Sequence, residues 1–538
     1  MESIWGTPEQ LRELTELLVG WDSQGLTEGE VTFPEKLEKK LMELEYFQEN
    51  PDNLALGEVN WERRYLTALY KHEKASRTVV LLSHFDTVAV HEYGDLAPLA
   101  YQPAQLEAAF QKIKDEFKPE MQADLASGEY VFGRGIMDMK SGLAIHMALI
   151  ERASLEQWPV NLLLMTVPDE EINSAGMRYG VSKLLDLERQ HGLEYTVFLN
   201  GEPVFAKSPG DESHYIYTGS IGKIMPSALF YGKETHAGEP LAGMTSSYIS
   251  TYLTRKMEWN PAFSETVYGE ETPLPVTLTQ GDMKEEYSVQ TPYRTKAMYN
   301  VFTMERNAQQ VMDIFESLAN ESASECMDDY RAFCQHINME PRFDEIRVLR
   351  FEQLVDYAKN KFGIDYFNQL IHKTLMDSER DVRDKSFHIA DLLLLNCQEL
   401  SPSIVLLFTP PYYPAVNSSD DPLIEDCVAH VAQMALERFD LELEQVHFFN
   451  GISDLSYVNY EDSSDGWVSY EKNTPVYGDP YSIPFQAMQN LQAPVLNIGP
   501  FGKDPHKRTE RLHVKNAFEE IPELLAGLIL HIGKRAED

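Results

Sequence analysis

Five side chains of metal-ligating type stand where apolar runs give way to turns. They are His84 in LLSHFDTV, Asp138 in GRGIMDMKSG, Glu171 in VPDEEINSAG, Glu202 in FLNGEPV and His506 in GPFGKDPHKRTER. Two histidines with three carboxylates form a donor set suited to borderline cations such as zinc. Five ligands suffice for two divalent ions when one carboxylate bridges, and such a pair polarises a carbonyl while activating a water. The chemistry implied is metal-assisted hydrolysis.

Neighbouring residues add to that set. Asp86 follows His84 by two positions, so on an extended chain both side chains face the same way. A carboxylate there can hold the tautomer of a ligating imidazole, although His-x-Asp alone is common. Glu170 and Glu171 are adjacent and must point differently, which lets one bind metal while the other serves as general base. The pair Gly133 and Gly135 lacks the third glycine of a dinucleotide loop, and no phosphate-loop lysine follows. These glycines instead permit a sharp turn that presents Asp138.

The elements that must position these residues read as α/β. Segments 78–84, 160–167 and 195–200 are apolar runs of strand length, with helical patterns at 141–152 and 180–190. Alternation of this kind predicts a mostly parallel sheet, whose ligands gather beyond the carboxyl ends of the strands. His84, Glu171 and Glu202 each fall just after such a run. Thr7 and Pro8 open the first helix. Near residue 214 the character changes. Segment 215–231 reads as an exposed antiparallel strand or hairpin, 245–259 as a helix, and 296–304 as a strand before a helix from Ala308. These predict a smaller α+β domain, with 260–294 as an excursion and 341–400 as added helices. A strand at 403–409 and a helix at 422–439 follow, then a strand at 493–498 and a helix at 522–532. The expected division is a catalytic domain from 1–213 and 416–538 with 214–415 inserted as a lid or dimerisation domain.

Composition sets limits. A chain of 538 residues exceeds one core. With 46 basic against 86 acidic residues, its formal charge of -40 disfavours nucleic acid and anionic membrane surfaces. Cys326, Cys334, Cys397 and Cys427 form no CxxC pair, which fits buried thiols in a reducing compartment. The first residues lack a basic region followed by an apolar core, and no apolar stretch reaches membrane-spanning length. The expected location is cytoplasmic.

Taken in order, SHFDTV, GRGIMDMKSG, PDEE, NGEP and the late GPFG…HKRTE resemble the M20 family of metallopeptidases and amidohydrolases. The length and internal additions are most similar to a bacterial arginine-utilisation branch of that family. The resemblance covers residues 84–510 and implies a dizinc centre, with cobalt or manganese as alternatives. In it Asp138 bridges, His84 and Glu202 complete one ion's shell, and Glu171 and His506 the other's. Glu170 is then the general base and Asp86 orients His84. His236 in YGKETHAGEP matches a lid histidine that stabilises the oxyanion, often across a homodimer interface. His506 fits the family pattern with Thr509 and Glu510 following, whereas His513 lies outside it and reads as structural, as does His146. Gly451-Ile452-Ser453-Asp454 only partly matches a turn near the family's site, so Asp454 stands outside the core set. Phe302 occupies the place of an arginine that grips a substrate carboxylate in many relatives.

The function implied is hydrolysis of an amide bond in a small peptide or N-acyl amino acid by metal-activated water. Two rivals are a metal-dependent phosphoesterase and a catalytically inactive binding or regulatory protein. No cationic cluster surrounds the motifs to hold phosphate, and a pure binding site has no need of Glu170.

Overall fold

The computed structural model describes residues 3–60, 62–208, 210–284, 286, 288–377, 380–478 and 480–534. They divide into two units. The first draws on Met1–Ile221, Val416–Tyr460 and Pro484–Asp538, the second on Gly222–Ala415 and Glu461–Ile483.

The first unit opens with the helix Pro8–Gly20, where Thr7 and Gln10 cap each other's backbone N–H groups at 3.2 and 3.1 Å. Its eight-stranded sheet has a parallel centre. Asn161–Val167, Arg77–His84, Glu194–Asn200 and Val495–Asn497 lie side by side in that order, all in one direction. Arg64–Tyr70 runs antiparallel to Asn161–Val167, and His214–Tyr217 antiparallel to Val495–Asn497. The sheet is therefore mixed at its flanks and parallel where the motifs lie. Every residue of Asn161–Val167 is buried, as strands covered on both faces require. One face packs on Leu143, Leu149, Val431 and Leu528 from helices Ser141–Glu156, Pro422–Phe439 and Ile521–Lys534. On the other, Gly180 of the helix Ala175–His191 lets the Met165 side chain approach closely.

The second unit has its own sheet. Val276–Asp282, Arg294–Thr303, Pro226–Tyr231 and Ser403–Phe408 are successively antiparallel, and Arg347–Arg350 joins in parallel. Helices Ser246–Met257 and Ala308–His336 pack against it. The added helices are Phe351–Phe362, Ile364–Leu375 and Val382–Asn396.

Three readings need correction. Segment 215–231 is no exposed hairpin: His214–Tyr217 lies in the first sheet, while Pro226–Tyr231 is buried throughout in the second. Between them Gly219–Ser220 and Gly222–Ile224 are short strands in which the chain passes from one unit to the other. Segment 260–294 is not merely an excursion, because Val276–Asp282 forms an edge strand of the second sheet. Residues 461–483 pack with the second unit rather than the first, since Tyr470 needs cover and stacks on Phe408 at 5.3 Å. All four cysteines are buried and free. No helix among the described residues is long and apolar enough to cross a membrane.

Candidate metal centre

The parallel strands deliver most of the motif residues to one edge of the first sheet. His84 is the last residue of its strand, Glu170 and Glu171 follow Val167, and Glu202 follows Asn200. His506 arrives differently. It sits in the loop of a hairpin, Gly502–Lys503 with Arg511–His513, that extends from Val495–Asn497. Arg511–His513 pairs with Tyr130–Phe132, the strand that leads into Asp138. Thus the late motif is stitched to an early one by backbone hydrogen bonds. Gly135 supplies the turn at φ 73°, and a Cβ there would lie 2.5 Å from the Thr87 methyl.

Asp138 stands at the middle of the cluster. Its Oδ1 is 3.2 Å from His84 Nε2, and its Oδ2 is 3.1 Å from His506 Nε2. Glu202 Oε1 lies 3.4 Å from the same His84 nitrogen, and Glu171 Oε2 lies 3.1 Å from that of His506. Two groups of donor atoms result, His84–Asp138–Glu202 and His506–Asp138–Glu171, sharing one carboxylate. Glu170 Oε2 is 3.9 Å from His84 Nε2. The His84, Asp138 and Glu171 donor atoms alone fall within 4.8 Å of one another. Imidazole nitrogens and carboxylate oxygens converging so closely in a buried setting suit a pair of divalent cations.

The electrostatics show what the cluster suits. Burial raises the carboxyl groups of Glu170 and Glu202 well above the usual range, only partly countered by His84. Burial also raises Glu171, with the Asp138 charge adding to it. Burial would lower both histidines, yet Glu202 and Asp138 push His84 upward, while Asp138 and Glu171 carry His506 to about 11. Hydrogen bonds from the two histidines hold Asp138 low against its own burial. Protons thus partly neutralise a nest of buried acids, a task that cations at the same donor atoms would take over.

Asp86 does more than face His84. Its carboxylate accepts from the backbone N–H of Glu170 at 3.0 Å and of Glu171 at 3.2 Å. The closest Asp86 atom to His84 Nδ1 is the backbone carbonyl, at 3.1 Å, with the carboxylate at 3.5 Å. One residue therefore fixes both the imidazole and the acidic turn.

Several supporting residues escaped the sequence reading. Glu510, fully buried, accepts from Met137 N at 3.2 Å, Asp138 N at 3.4 Å and Arg134 Nη1 at 2.6 Å. Arg134 also donates to the His506 carbonyl at 3.2 Å. Thr509 and Glu510 had counted only as pattern, and the arginine between two glycines had carried no role. Asp454, left outside the core set, is buried, and that burial raises it to about 7 within reach of the charges on His84 and Asp86. Beneath the acidic turn, Arg63 and Asp169 form a buried ion pair at 2.5 Å. His146 is buried, and burial lowers it to about 3. His513 accepts from Asn516 N at 3.2 Å. His236 belongs to the second unit, exposed where it forms a β-bridge with Gln290, and its Nδ1 accepts from Gly238 N at 3.0 Å. Of the arginines near Phe302 in sequence, Arg294 pairs with Asp391 at 2.8 Å and Arg306 donates to the Ala262 carbonyl at 2.9 Å.

Residues 80–531 match the family described as Peptidase family M20/M25/M40. The chain belongs to the M20 peptidase family. It is 40% identical to the uncharacterized protein YqjN of Bacillus subtilis, over 99% of this chain and 98% of that one. It is 31% identical to protein RocB of the same organism, over 97% and 95%. Among solved structures, a tripeptidase from Staphylococcus aureus shares the fold with a TM-score of 0.53 at 14% identity, over 98% and 99% of the two chains. An M20 member with this mixed α/β fold is a hydrolase by family.

Proposed function

We propose that this M20 protein is a two-metal hydrolase that cleaves an amide bond in a small peptide or an N-acyl amino acid. The division of Asp138 carries the reading, with one oxygen beside His84 and the other beside His506. On this reading Asp138 would serve both ions, His84 and Glu202 would help hold one, and Glu171 and His506 the other. When bound, two divalent cations, zinc foremost with cobalt and manganese as alternatives, would polarise the scissile carbonyl and acidify a water.

The remaining roles fall to the chain's own residues. Glu170 is buried beside the shared cluster, and burial strengthens its hold on a proton. Such a carboxyl suits a base that takes the proton of the attacking water and passes it to the departing amine nitrogen. Asp86 positions both His84 and the Glu170 backbone. His236 is assigned as the N–H donor to the oxyanion. Phe302 offers no charge to a substrate carboxylate. The buried free cysteines support a reducing, cytoplasmic setting, and a homodimer is the assembly implied by the family resemblance.

A screen of dipeptides and N-acyl amino acids, N-acylarginines included, with zinc, cobalt or manganese tests the reaction class. Turnover is expected in the wild type and a loss of about 10²–10⁴-fold in Glu170→Gln, with bound metal retained. Undiminished turnover in that variant would sink the reading. Elemental analysis is expected to find close to two metal equivalents. A value near one, unchanged by added metal, would remove the bridging role of Asp138.

A further inference from the structure

The turn that carries Glu170 and Glu171 is held in a costly shape. Asp169 opens it at φ 70° and Ser174 closes it at φ 44°, both left-handed and neither glycine. Such a backbone persists only where its surroundings enforce it. Within the turn the Asp169 carbonyl accepts from Asn173 N at 2.9 Å and from Ser174 N at 2.5 Å. The Asp169 carboxylate does two further jobs. Its Oδ2 accepts from Ala175 N at 3.0 Å, and its Oδ1 accepts from Arg63 Nη1 at 2.5 Å.

Arg63 comes from outside the turn, 106 positions earlier, just before the strand Arg64–Tyr70. It is buried. Asn60 Oδ1 accepts from its Nε at 3.2 Å and from its Nη2 at 2.5 Å, so the planar guanidinium is aimed as a fork. Glu30, wholly buried on the helix Glu28–Leu41, lies 3.5 Å from Arg63 Nη1. Its other oxygen accepts from Leu26 N at 2.7 Å. Two segments distant from the turn are thus tied to one Asp169 oxygen. Desolvating a buried ion pair costs about as much as its attraction returns, so apolar packing would serve stability as well. What the pair adds is a fixed geometry.

We propose that Arg63 is a positioning residue for the reaction, holding Asp169 and thereby the turn from which Glu170 and Glu171 project. This role rests on the two-metal reading, in which Glu171 helps hold one ion and Glu170 is the base. Asp86 takes the two glutamate N–H groups, and Arg63 takes the side chain of the residue before them.

Zinc affinity tests this role without a substrate, by competition with a chelator on the full chain. In Arg63→Gln, one of two equivalents is expected to weaken by about tenfold or more, while the other keeps its affinity. A residue that only supported the fold would shift both equivalents or neither, and either result overturns the proposal. Arg63→Gln added to His506→Ala should leave the remaining ion unchanged, which identifies the weakened one as the Glu171 side. A further loss there overturns the proposal too. Arg63→Lys keeps the buried charge and loses the fork, so it should fold and weaken the same equivalent by a smaller factor, about threefold. If Arg63→Gln does not fold, an unchanged affinity in Arg63→Lys is the overturning result. Fewer than two equivalents in the wild type would instead sink the two-metal reading, and this role with it.

Discussion

The two histidines of the candidate centre are held in contrasting ways. His84 ends a strand in the middle of the first sheet and is 1% exposed, its ring braced by Asp86. His506 is 48% exposed and sits in a hairpin loop at φ 61°. A left-handed backbone at a non-glycine residue costs roughly 1–3 kcal/mol and persists only where its surroundings enforce it. Here Arg511 does so, donating to Asp504 at 2.5 Å and to the Thr509 carbonyl at 3.0 Å, while Arg134 holds the His506 carbonyl. The sheet thus builds one half of the donor set, whereas side-chain hydrogen bonds build the other. Two ions bound there should differ in affinity, the His506 side exchanging more readily.

Asp138→Asn should break that distinction outright, because Asp138 serves both halves. Activity is expected to fall by about 10⁴-fold or more, with both metal equivalents weakened together. Loss of only one equivalent, measured by elemental analysis after dialysis, would show that Asp138 does not bridge. His506→Ala should be selective instead. One equivalent is lost, the other stays, and turnover drops by about 10²–10³-fold. Loss of both equivalents would mean that the halves are not independent.

The contrast also separates what the sequence disclosed from what it concealed. His84, Glu171 and Glu202 could be placed because each ends or follows an apolar run, and a parallel sheet directs such ends to one edge. Those signals are local. The brace on the other half is not: Arg134 and Glu510 meet across 376 positions, and nothing near either residue announces the pairing. Asp454 was undervalued for the same reason, since its position depends on how a returning segment packs. The unit boundaries suffered likewise. Residues 461–483 read as a continuation of the first domain, but the aromatic stack of Tyr470 on Phe408 draws them into the second. Periodicity reveals which face of an element is apolar without saying which core receives it.

Metal-free protein offers a finer test through pH. His84 and His506 are raised in the folded state, His506 from 6.5 to about 11, and burial raises Glu170 and Glu202 above 4.5. Each group binds its proton more tightly folded than unfolded. The associated stability is therefore complete below the unfolded value and is lost as pH rises through the folded one. Urea unfolding of chelator-treated protein should show a lower midpoint at about pH 9 than at about pH 6. Zinc should stabilise more at the higher pH, because fewer protons must leave the donor atoms. A metal-free midpoint that rises across this interval would contradict the acid nest described here.

The smallest expected effect addresses the hairpin itself. Arg511→Gln removes the charge that pairs with Asp504 and Asp124 while touching no proposed ligand. If hydrogen bonds rather than the sheet hold His506 in place, the more exchangeable metal should weaken by about tenfold, as outer-shell changes typically do. The tighter metal should keep its affinity. Competition with a chelator would resolve the two. Equal weakening of both ions would instead mean that the hairpin supports the whole edge of the sheet, and His506 would then be no more loosely held than His84.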